Sequence, residues 1–176
     1  MLVFLLLGFI IYSIGMYFVF PKAGVEAWKG LVPGLNLAEM AALVGRKKTH
    51  AWWMLFPIVN IFIFAALIID LARSFGKHGY WDSVLAVVFA PFYSLYLGLD
   101  KKLKYQGPVL VQELEFMNKL HEARAKNDTK TINKMQASNP YKKGAVREWA
   151  ESIVFAVFAA AFIRMFLIEA YMIPTS

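Results

Sequence analysis

Hydrophobic and polar positions in this chain fall in long blocks rather than alternating residue by residue. Four apolar runs, at 2–20, 51–71, 83–99 and 149–171, are separated by segments rich in charge, proline, glycine and asparagine. A helix rising about 1.5 Å per residue needs about 20 apolar residues to cross the ~30 Å hydrocarbon layer of a bilayer, and all four runs meet or approach that length. The pattern predicts an all-α integral membrane protein with about four transmembrane helices. The chain falls in three regions: an N-terminal membrane region over 1–100, a water-exposed segment over 101–147 and a final anchor over 148–176.

Each run carries its own punctuation. Pro21 closes the first, and Gly8 and Gly15 lie two turns apart on it, as glycines often do in membrane helices. No basic segment precedes this run and no small-x-small site follows it, so it is expected to be a retained helix rather than a cleaved secretory signal. Leu37 to Val44 is a short apolar patch after Pro33-Gly34, too short to cross and expected at the interface or as a hairpin arm.

The second run opens on Trp52-Trp53, a headgroup-level aromatic pair. Pro57 falls in its first turns, and polar Asn60 is expected to seek a partner helix rather than lipid. Asp70 and Arg73, at i and i+3, are expected to neutralise one another at its far end. The third run contains Pro91, which either kinks a crossing helix or folds it into a re-entrant hairpin. Beyond it, Val111, Leu114, Met117 and Leu120 recur every three residues as one short amphipathic helix, and 125–144 reads as a flexible linker. The last run is framed by Trp149 and Tyr171 and stopped by Pro174. Arg164 is the one charge well inside it and snorkels outward, with Glu169 close by.

Composition sharpens this picture. The 176 residues are 59% hydrophobic and only 18% charged, against about 25% charge in an ordinary soluble domain. Of nineteen Lys and Arg, sixteen lie in 21–50 and 100–147, and alternating crossings put those two segments on one side. The positive-inside rule makes that side the cytoplasm and turns the N-terminus and residues after about 172 outward. The net charge of +7 thus indicates topology and anionic headgroups as partners; no nucleic-acid motif accompanies it.

Candidate chemistry is sparse. With no cysteine, thiolate metal sites and disulfides are excluded, and His50, His78 and His121 stand far apart without ligand-like neighbours. No metal and no cofactor is expected.

The exception is the end of the chain. REWAESIVFAVFAAAFIRMFLIEAYMIPTS, residues 147–176, resembles the anchor-to-active-site junction of type I signal peptidases, where an apolar residue and proline precede Ser or Thr, any residue, then Ser-Met. In that register Thr175 falls on the position whose hydroxyl helps form the oxyanion hole and Ser176 on the variable position. The nucleophilic serine is then expected immediately after Ser176, outside these residues. The resemblance implies a Ser–Lys dyad whose lysine lies far downstream on a β-rich domain, and acyl-enzyme chemistry that removes signal peptides from exported preproteins. This chain alone is expected to be inactive.

GLVPGLNLAEM, WWMLFPIVNIFIFAALIIDLARSFGK and PFYSLYLGLD resemble the extra membrane region of Bacteroidetes-type signal peptidases. The resemblance implies a bacterial cytoplasmic (inner) membrane location, with signal peptides and the secretion channel as further partners. The competing reading is a non-enzymatic membrane scaffold or secretion accessory protein.

Overall fold

Proline and glycine, more than hydrophobicity, decide where the helices of this chain begin and end. The structure, a computed structural model, describes residues 2–55, 57–141 and 160. The chain divides into two units, Met1–Pro140 and Tyr141–Ser176, and apart from residues 141 and 160 the described residues belong to the first.

Among the described residues all regular structure is helical. The α-helices are α1 (Leu2–Lys22), α2 (Leu35–Leu43), α3 (Pro57–Ser74), α4 (Tyr80–Val88), α5 (Ala90–Leu99), α6 (Val109–Ala125) and α7 (Thr129–Ala137). Short 3-10 helices at Ala27–Gly30 and Lys48–Leu55 precede α2 and α3.

Several boundaries differ from expectation for identifiable reasons. α1 carries through Pro21 to Lys22, so the donor that proline lacks costs one bond near the end of the ladder. The helix expected over 51–71 instead starts at Pro57, with Trp52-Trp53 on the preceding 3-10 helix. Proline lacks the donor needed inside a helix but is pre-organised for its first position.

The helix expected over 83–99 is two helices, α4 and α5, bent by 117° at Phe89. Pro91 stands at the start of α5, where it cannot extend α4's ladder. A bend of this size fits a broken span or a re-entrant loop. The linker expected over 125–144 contains α7, because Asp128 caps it by accepting from the Thr131 amide at 3.1 Å. The Thr131 hydroxyl and amide together hold that carboxyl below its ordinary pKa.

α1 and α5 run parallel and almost touch. A Cβ on Gly15 would sit 2.7 Å from the Leu95 nitrogen, and one on Gly98 would sit 2.6 Å from Phe18 Cβ and 3.0 Å from the Gly15 oxygen. Ser94 Oγ, between them, donates to the Pro91 carbonyl at 2.7 Å. Gly15 is thus the close-packing glycine that the sequence only hinted at, while Gly8 meets Pro91 at an ordinary 3.8 Å. Small residues at a shared seam let helices approach to backbone contact, which gains dispersion and close polar contacts without needing water to drive it. Gly30 repeats the device, bringing the first 3-10 helix against the α1 backbone at Met16.

The core between α1, α2, α3 and α5 is built from Met16, Phe20, Met40, Leu67, Leu71 and Leu97, all fully buried. Around it the usual order is inverted. More large hydrophobic side chains are exposed than buried, among them Leu6, Ile10, Leu55, Trp81, Val88 and Phe92, while Asp70, Glu39, Asn36 and Ser74 are inside. Asn60 lies on the exposed side of α3 rather than against a partner helix. By length and apolarity, no single helix among the described residues is enough to cross a membrane; α4 and α5 reach that measure only as a bent pair.

Candidate functional site

Two carboxylates are buried in this unit, and each is held by a cation from another segment. Asp70, near the end of α3 and 4% exposed, receives Arg46 Nη2 at 2.8 Å from the turn after α2. Glu39 on α2, 6% exposed, receives Lys48 Nζ at 2.6 Å, with Lys29 Nζ at 3.8 Å. Asp70 thus has Arg46, from another segment, as an ion-pair partner, which its i, i+3 spacing to Arg73 did not suggest. The turn after α2 is pinned beside Asp70.

That pinning is local chemistry. Gly45, at φ +94°, adopts a left-handed turn, and a Cβ there would lie 3.3 Å from both Pro108 and Leu110. The Leu110 amide donates to the Val44 carbonyl at 3.2 Å, and the Tyr105 hydroxyl donates to the Leu43 carbonyl. Burial against this loop pushes the Tyr105 phenol above its ordinary pKa.

Ser74 links the same loop to α3. Its hydroxyl donates to the Asp70 carbonyl at 2.9 Å and accepts from the Val109 amide at 3.2 Å, while the Gln106 amide donates to the Ser74 carbonyl at 2.8 Å.

A second tie joins the ends of α1 and α5. Lys22 Nζ donates to the Leu97 and Asp100 carbonyls, each at 2.7 Å, satisfying acceptors that a helix C-terminus leaves open. Lys77, after α3, lies 5.5 Å from the Tyr96 ring centre. A hydrogen bond with Tyr96, together with the charges of Asp82 and Asp100, raises the Lys77 ammonium pKa. Burial lowers that of His78 beside it.

The constellation clamps segments together. Among the described residues no Ser or Thr hydroxyl is hydrogen-bonded to a lysine Nζ, as a Ser–Lys dyad would need. No group of three or more His, Asp or Glu there could hold a metal ion. His50 and His121 belong to separate segments, and His121 is exposed. Arg164, Glu169, Thr175 and Ser176, and the anchor that carries them, lie outside the described residues. In the sequence, Arg46 and Glu39 are simply charges of the 21–50 segment. Separations of 24 residues for Arg46–Asp70 and 9 for Lys48–Glu39 match no helical or strand period.

Compared with known proteins, residues 28–108 match the model of a family of unknown function (DUF5684). No curated protein and no solved structure matches the chain. The matched segment runs from the first 3-10 helix to the loop before α6, so it contains both buried ion pairs. It leaves out α1 and the stretch 147–176 that resembles the anchor-to-active-site junction of signal peptidases.

Proposed function

We propose that this chain is the N-terminal membrane part of a signal peptidase I, a serine endopeptidase that removes signal peptides from exported preproteins through a Ser–Lys dyad. It sits in a bacterial cytoplasmic membrane, with 21–50 and 100–147 in the cytoplasm and the N-terminus and residues beyond about 172 outside. The reading is carried by residues 147–176, an apolar anchor framed by Trp149 and Tyr171 that leads into Ile173-Pro174-Thr175-Ser176.

The inverted surface supports the membrane part. Apolar patches on water-soluble monomers seldom exceed a few hundred Å². α1 exposes Leu6, Leu7, Phe9, Ile10 and Ile14 in succession, and the α4–α5 bend exposes Val87, Val88, Phe89 and Phe92. Lipid, with headgroups facing the basic segments, is the solvent such a surface fits. Although α1 alone falls short of the measure given above, we take its apolar run 2–20 as the first crossing and the final apolar run as the last.

The chemistry follows from position. A preprotein's cleavage site emerges at the outer surface, and a nucleophile loop tethered to the outer end of an anchor is held where the scissile bond appears. Thr175 contributes to the oxyanion hole, and the serine immediately after Ser176 attacks the carbonyl. Signal peptides, anionic lipid and the secretion channel are the partners.

A second reading, a non-enzymatic scaffold or secretion accessory protein, is favoured by one observation. The ion-paired segment matching a family of unknown function is a self-contained clamp without catalytic geometry.

The coding sequence past Ser176 separates the two. A Ser-Met followed by a strand-rich, lysine-containing domain is the expected result; a stop codon contradicts it. Residues 1–176, purified and mixed with a preprotein, are expected to leave it uncut. Turnover abolished by Ser176→Ala would instead move the nucleophile to Ser176.

A further inference from the structure

Within the membrane reading proposed above, on which this rests, we infer that only α1 in the first unit crosses the bilayer. The next two apolar segments enter from the cytoplasmic side and return to it, so that the turn at Arg73–Gly79 lies on the same side as Lys22 and Asp100.

Both segments leave from and return to one polar layer. The first departs at Arg46, rises through the 3-10 helix Lys48–Leu55 and comes back down α3 to Asp70, where the Arg46–Asp70 ion pair at 2.8 Å closes the loop. The second departs at Ser74, rises along α4, reverses at Phe89 and descends α5 to the loop whose Gln106 amide binds the Ser74 carbonyl at 2.8 Å. Lys22, Asp100 and Lys77 fix the level of that layer against α1. Lys22 Nζ binds the Asp100 carbonyl at 2.7 Å, and Lys77 feels the Asp100 charge from beside Tyr96. Alternating crossings would put Lys77 near the other end of α1.

The lengths agree. α5 has 10 residues and rises ~15 Å, half of a ~30 Å hydrocarbon layer. Its first turn meets α1 at Gly8, about 9 Å short of the α1 N-terminus at 1.5 Å per residue. Pro57 to Asp70 spans ~20 Å, again less than a crossing. Tyr12 and Phe64, near the middles of α1 and α3, meet ring to ring at 5.5 Å, as expected when both helices end in the same layer.

A chain reversal within lipid requires its backbone groups to be bonded internally. At the α4–α5 bend they are. The Phe89 amide donates to the Leu85 carbonyl at 2.9 Å, and the Phe89 carbonyl accepts from the Tyr93 amide at 2.8 Å. Placing Arg73 and Lys77 inside brings every cation of the first unit to the cytoplasmic side, which agrees better with the charge bias than alternating crossings do.

The absence of cysteine makes the test direct. Val3→Cys, Glu26→Cys, Lys77→Cys and Lys102→Cys variants of the full chain are exposed to a membrane-impermeant maleimide in right-side-out cells and in inside-out vesicles. The expected result is labelling of positions 26, 77 and 102 in the vesicles alone, and of position 3 in intact cells alone. Labelling of position 77 together with position 3 overturns the inference and leaves the membrane reading standing. Labelling of all four without sidedness overturns both. Because Lys77 touches Tyr96, Tyr80→Cys, an exposed side chain at the start of α4, repeats the measurement and is expected to follow Lys102.

Discussion

Gly15→Ala is expected to destabilise the protein by about 1–3 kcal/mol, the cost of forcing extra volume into a packed contact, although alanine is the better helix former. The added methyl group would lie 2.7 Å from the Leu95 nitrogen and from the Ser94 carbonyl carbon, and backbone cannot turn aside as a side chain can. α1 and α5 would have to separate, loosening Gly98 against Phe18 and stretching the Lys22 bonds to Leu97 and Asp100. The control lies two turns away. At Gly8 the nearest atom to a new Cβ is Pro91 Cγ at 3.8 Å, so Gly8→Ala is expected to be neutral or to gain up to about 1 kcal/mol from helix propensity. Unfolding of both variants in detergent micelles by titrated denaturing detergent, followed by circular dichroism, measures the difference. Ser94→Ala added to Gly15→Ala is expected not to restore stability, since the obstruction is main chain.

Arg46→Met is the second large effect, expected at about 3 kcal/mol, because it removes the guanidinium while Asp70 remains buried. Adding Asp70→Asn is expected to recover part of that loss, giving a coupling of at least about 1 kcal/mol in the double-mutant cycle. Lys48→Ala should cost less, no more than about 1 kcal/mol, because the Lys48 side chain is 58% exposed and Lys29 remains near Glu39. Equal effects of Arg46→Met and Lys48→Ala would show that burial of the carboxylate does not set the cost. The same unfolding assay reads all three.

Comparison of these residues shows what the sequence could and could not reveal. Helix type and number were readable wherever an apolar run was bounded by proline, as in α1, because composition and chain stiffness act locally. In the sequence Pro57 reads as a tolerated irregularity in one helix, and Pro91 as either a kink or a re-entrant hairpin. Whether a proline kinks a helix or starts a new one depends on what the two halves pack against, here α1 beside Gly8 and Gly15. Arg46–Asp70 and Ser74–Gln106 were not readable at all, since they join segments tens of residues apart through a turn whose φ only a glycine readily adopts. The cap at Asp128 was readable: Asp-Thr-Lys-Thr has the spacing of a helix start, and polar composition obscured it.

The charge bias pointed to a common side for 21–50 and 100–147, and the bond from Lys22 Nζ to the Asp100 carbonyl places parts of both segments together. The same bias left the turn holding Arg73 and Lys77 on the opposite side, because it assumed that every apolar run crosses. Two closed loops satisfy the bias better than two crossings do, since they bring Arg73 and Lys77 inside as well, and they cancel in the count. The orientation proposed for the final anchor is therefore the same in either case.

This anchor must carry Pro174-Thr175-Ser176 to the outer face of the membrane if the chain is to serve a signal peptidase. A Ser176→Cys variant of the otherwise cysteine-free chain, treated in intact cells with an impermeant maleimide, addresses that placement directly. Labelling without permeabilisation, at a rate matching Val3→Cys, is the expected result; labelling only after the membrane is opened, alongside Glu26→Cys, would refute it.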